Sequence, residues 1–116
     1  MNALHKEFAD KVVANLVDAL GDKVCAIWIY DLLENFETAL KDEPIFSILC
    51  ALDVSYEQFL DVQKDVYKAI AALEEEEDVY IDARAVVEQR FKYKSYLHAY
   101  NLGKDAIRYY DRDRKH

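Results

Sequence analysis

Leu4, Phe8, Val12, Leu16 and Leu20 recur every four positions, which lines them along one side of a helix and predicts a first helix over residues 4–20. Gly21 follows where a helix end favours a residue of left-handed backbone. Asp22 can cap a second helix from Val24 to about Lys41, because Val24, Cys25, Trp28, Ile29, Leu32, Leu33, Phe36 and Leu40 gather on one half of a helical wheel. Pro44 suits the first turn of a short third helix reaching Leu52. Ser55 and Gln58 form a capping box for a fourth, whose Tyr56, Phe59, Leu60, Val66, Tyr67, Ile70 and Leu73 keep helical spacing to about Glu77. Asp82 can cap a fifth, running to about Tyr100, and "KDAIRYY" reads as a last helical stretch.

With two glycines and one proline, the chain holds little of the turn chemistry that hairpins use. The expected fold is therefore all-α: one domain over residues 1–116, a compact bundle of five to six helices. The opening residues carry acids without an apolar signal core, and the longest apolar run, "VCAIWIY", is too short to span a bilayer. A soluble, cytoplasmic protein is expected. Cys25 and Cys50 are then read as buried thiols rather than a disulfide.

Charge divides the chain where hydrophobicity does not. Residues 1–82 hold 6 Lys/Arg against 19 Asp/Glu, and residues 83–116 hold 9 against 4, within an overall net charge of −8. An acidic body thus carries a basic, tyrosine-rich C-terminal part, which either packs on that body or reaches for an acidic partner. The former is expected, because Ala83, Val86, Val87, Phe91 and Leu97 have the character of core residues.

The segment Ile48 to Gln63, "ILCALDVSYEQFLDVQ", resembles the helix-turn-helix of repressors, with Leu52, Val54, Ser55, Phe59 and Val62 in corresponding places. It departs from that pattern at Asp53, where the turn usually has Gly, and at Leu49, where packed helices usually have Ala. The resemblance implies a helix-turn-helix-like corner near residues 48–64. The implied recognition face carries Glu57, Asp61 and Asp65 against Lys64 and Lys68, which repels phosphate and points to packing rather than direct nucleic-acid binding.

Catalytic and metal signals are sparse. His5, His98 and His116 lie far apart, no paired-ligand spacing such as CxxC or HxxxH occurs, and no glycine-rich loop can cradle phosphate. The pairs Glu34/Glu37 and Glu75/Asp78 resemble the carboxylates of the all-helical, magnesium-dependent MazG nucleotide pyrophosphohydrolases. That resemblance implies an enzyme, whereas the remaining residues imply a non-enzymatic protein without metal or cofactor.

Two surfaces are candidates for binding. On the predicted second helix, Ile27, Tyr30, Asp31, Glu34 and Glu37 share the side opposite the core, an acidic and aromatic face suited to a partner protein with a basic surface. On the fifth, Arg90 and Lys94 stand among Tyr93, Tyr96 and Tyr100, a patch fit for a partner or for a homodimer. The acidic run Glu74, Glu75, Glu76, Glu77 and Asp78 opposes the dipole of the helix it ends and invites a basic partner. Small acidic helical proteins of this kind resemble the accessory proteins of phages and mobile elements, some of which inhibit host proteins by occupying nucleic-acid-binding surfaces. The favoured reading is an inhibitor of that type acting through nucleic-acid mimicry; the alternatives are a regulator derived from a helix-turn-helix and the MazG-like enzyme.

Overall fold

The computed structural model describes residues 1–36, 42–88, 102 and 105–114. Along the chain come α1 (Ala3–Leu20), a single 3-10 turn (Gly21–Lys23), β1 (Val24–Tyr30), β2 (Ser47–Leu52), α2 (Tyr56–Glu77), β3 (Asp82–Val87) and β4 (Ile107–Asp111). The strands form one sheet in the order β3-β2-β1-β4. β1 is antiparallel to both of its neighbours, while β2 and β3, joined through α2, run parallel. This is an α/β fold, and it overturns the expected all-α bundle.

Both long helices match the sequence pattern because their signals are local. Gly21 ends α1 with φ 59°, a conformation that a side chain would strain. The Ser55 hydroxyl accepts from the Gln58 amide at 3.2 Å, and the Gln58 side chain accepts from the Ser55 amide at 3.4 Å. That reciprocal cap starts α2 at Tyr56.

The predicted second and third helices are strands. "VCAIWIY" and "SILCAL" are apolar on both sides, and residues of both sides are buried, so neither run shows the alternation that marks a half-exposed strand. Val24, Ile27, Ile29, Ile48, Cys50 and Leu52 face α1 and α2 and form the main core with Val12, Leu16, Val66 and Ile70. Cys25, Ala26, Tyr30, Leu49, Ala51 and Val86 lie on the other side, where Leu102 is also buried. A bulge between Val24 and Ala26 sends two successive residues, Cys25 and Ala26, to that second side. Asp82 and Ala83, expected in a fifth helix, open β3, and "IRYY" of the last predicted helix belongs to β4. The expected continuation over residues 89–101 lies outside the described residues.

The helix-turn-helix-like corner is also corrected. Its first half, Ile48 to Leu52, is a buried strand between β1 and β3, so only the turn and the capped helix of the resemblance exist. Asp53 accepts from Arg112 at 3.0 Å, and Arg112 also donates to the Asp22 carbonyl at 2.6 Å. At this position the basic C-terminal part does pack on the acidic body, tying the end of β4 to the turns flanking β1 and β2.

Cys25 and Cys50 are free and buried, in the clusters on opposite sides of the sheet. The Cys25 thiol donates to the Ala51 carbonyl at 3.1 Å. Burial pushes both thiols from 9.0 up to about 12. Because unfolding frees them to ionise at the lower value, their contribution to stability is complete below pH 9.0 and is lost as pH rises toward about 12. Burial and a hydrogen bond to Asp10 likewise push Tyr109 from 10.0 to about 12. Urea midpoints are expected to fall with rising alkalinity. In Cys25→Ala/Cys50→Ala the decline should be shallower, leaving the slope that the raised phenols of Tyr30 and Tyr109 supply; an unchanged slope would refute the thiol contribution.

Candidate functional site: an acidic-mouthed cleft

Three segments converge at one end of α1. Met1, Asn2 and His5 come from the helix start, Asp31 to Glu34 from the residues after β1, and Leu102 with Asp105, Ala106 and Ile107 from the approach to β4. They enclose a cleft of about 780 Å³.

His5 holds two of these segments together. It occupies the third helical position, where Asn2 caps its amide at 2.8 Å and its Nδ1 accepts from the Asn2 amide at 3.4 Å. With Nδ1 as acceptor, Nε2 carries the proton and donates to the Leu33 carbonyl at 2.8 Å. The ring, 4% exposed, also lies 4.9 Å from that of Phe36. The Leu33 amide donates to the Ile45 carbonyl at 2.9 Å, so this peptide segment is held from both sides. Asp31 turns the chain out of β1 with φ 51°, a left-handed conformation that Asp adopts more readily than most residues.

The cleft is lined by polar and apolar surface alike, and its acids lie exposed. Leu33, Leu102 and Ile107 supply half-buried or buried walls, while Asp31, Glu34 and Asp105 are exposed. Among the described lining residues there is no Lys or Arg. Compared with known proteins, the chain matches no family model, no curated protein and no solved structure. The site must therefore be read from its own chemistry.

Of the residues expected to bind a partner, the structure places Asp31 and Glu34 at this mouth. Ile27 and Tyr30 are 0% and 6% exposed and pack on opposite sides of the sheet, because a strand separates what a helical wheel had joined. Burial raises the Tyr30 phenol above its ordinary value; Arg84 opposes that rise, and Asp82 and Asp31 add to it. Glu37, Arg90, Tyr93, Lys94, Tyr96 and Tyr100 lie outside the described residues. The acidic run is partly committed to structure. Glu74 accepts from the Ile81 amide at 3.0 Å, Glu77 accepts from Lys11 at 2.7 Å, and Asp78 ends α2 with φ 52°, leaving Glu75 and Glu76 exposed.

Glu34 stands in the irregular chain after β1, and Glu37, its companion in the MazG resemblance, lies outside the described residues. Sequence reading missed Asn2 and His5 as a pair, although an Asn three residues before a hydrogen-bonding side chain at a helix start is a capping signal. Asp105 and Leu102 carried no such signal. Their approach to the cleft depends on β4 returning beside β1.

Proposed function

We propose that the protein is a non-enzymatic binding module whose cleft receives a basic segment of a partner protein. The observation that carries this reading is the convergence of Asp31, Glu34 and Asp105 with Leu33, Leu102 and Ile107 around one cleft. A Lys or Arg side chain fits both parts: its aliphatic stem lies against leucine while its charged head remains at the carboxylates. The net charge of −8 supplies long-range attraction that speeds encounter with a basic surface. A surface that otherwise holds nucleic acid has the required charge, and its occupation would inhibit the partner. Among the described residues no helix is long and apolar enough to cross a membrane.

A fluorescent peptide of alternating lysine and leucine tests the cleft. Its affinity should fall as salt rises, and Asp31→Asn/Glu34→Gln/Asp105→Asn should weaken it at least about tenfold, or about 1.4 kcal/mol. The comparison variant Asp18→Asn/Asp65→Asn/Asp78→Asn removes the same charge from residues that do not line the cleft, and should bind nearly as wild type. Equal weakening in both variants would reduce the effect to net charge and sink the proposal.

A further inference from the structure

The outer side of α2 carries a second apolar stripe. Leu60 is 64% exposed and Tyr67 44%, and at the helical period Ala71 and Tyr56, itself 49% exposed, fall on the same line. A Leu and two Tyr at these exposures far exceed what packing on the sheet requires, since α2 already buries Val62, Val66, Ile70 and Leu73 there.

Along one flank of the stripe, before Glu75 near its end, the charges come in a definite order: Glu57, Asp61, Lys64, Lys68. All four are exposed, and Asp61 and Lys64 make only a long surface ion pair at 3.8 Å. Two acids followed by two bases are self-complementary when a helix meets a copy of itself running the opposite way. From this charge order and the adjoining stripe, we infer that α2 is a homodimer surface, pairing antiparallel about a twofold axis near Gln63 and Lys64.

That pairing sets Leu60 against Tyr67 of the second copy, and Tyr56 against its Ala71. Glu57 meets the other copy's Lys68, and Asp61 its Lys64, with each contact repeated by the symmetry. It also brings the exposed Glu75 and Glu76 toward the start of the opposite helix, where the macrodipole favours carboxylates. The acidic end of α2, unfavourable by itself, is thereby offset by the partner copy. This surface shares no residue with the cleft, so the two readings fail or succeed separately.

The test is sedimentation of the full chain over a wide concentration range, with circular dichroism confirming that each variant folds. Wild type should pass from monomer to dimer, and Leu60→Arg should weaken the dimer at least about 30-fold, as loss of a central interface side chain does. Lys64→Glu/Lys68→Glu makes the flank wholly acidic, and Glu57→Lys/Asp61→Lys leaves Glu75 as its one acid. Each should be monomeric alone, and their mixture should form a one-to-one dimer. Monomeric wild type at every concentration, a dimer of either charge variant alone, or failure of the mixture to associate would overturn the inference.

Discussion

Phe46→Ala is expected to lower unfolding stability by about 3–5 kcal/mol, enough to threaten a domain whose total is typically about 5–15 kcal/mol. Phe46 is 0% exposed and is the largest fully buried side chain among the described residues. It stands immediately before β2, and its carbonyl accepts from the Asp82 amide at 3.3 Å where β2 and β3 begin. Truncation would therefore leave a cavity in the main core beside the first rung of the parallel pair, which cannot collapse without moving both strands. In urea, a slope of about 1–3 kcal/mol/M turns this loss into a midpoint shift of roughly 1–5 M. A loss under about 1 kcal/mol would show that Phe46 does not occupy the core.

Replacing His5 should act on stability and on the cleft together. His5→Ala removes a cap interaction, the bond to the Leu33 carbonyl and the ring contact with Phe36, a combined loss of about 2–4 kcal/mol. His5→Gln is expected to fall between this variant and wild type, because Gln at the third helical position can complete the capping box without the ring contact. The lysine and leucine peptide should bind His5→Ala more weakly than wild type under conditions where both are folded, since Leu32 to Glu34 lose their tie to α1. Stability within about 0.5 kcal/mol of wild type would show that the side chain only decorates the surface.

The cleft was half legible. Asp31 and Glu34 stood out as acids next to apolar residues, but the helical wheel assigned them companions, Ile27 and Tyr30, that the sheet buries. Their actual neighbours come from α1 and from the approach to β4. Those are long-range relations, and a periodicity measured within one segment holds no information about them.

Scarcity of glycine and proline misled the fold assignment for a related reason. The β2 to β3 connection passes through α2 and needs no tight hairpin, and the left-handed turns at Asp31 and Asp78 are made by aspartate. Low glycine content limits two-residue hairpins; it does not limit a sheet assembled through longer connections.

The sequence by itself determined α1 and α2, their caps at Gly21 and Ser55, and the apolar character of "VCAIWIY" and "SILCAL", because these follow from local backbone preference and from the residue types of each run. Only the tertiary structure decided that the two apolar runs are strands. Each is flanked by partners that complete its backbone hydrogen bonds, with buried clusters on both sides of the sheet, and a run buried all round has the same pattern as helix or as strand.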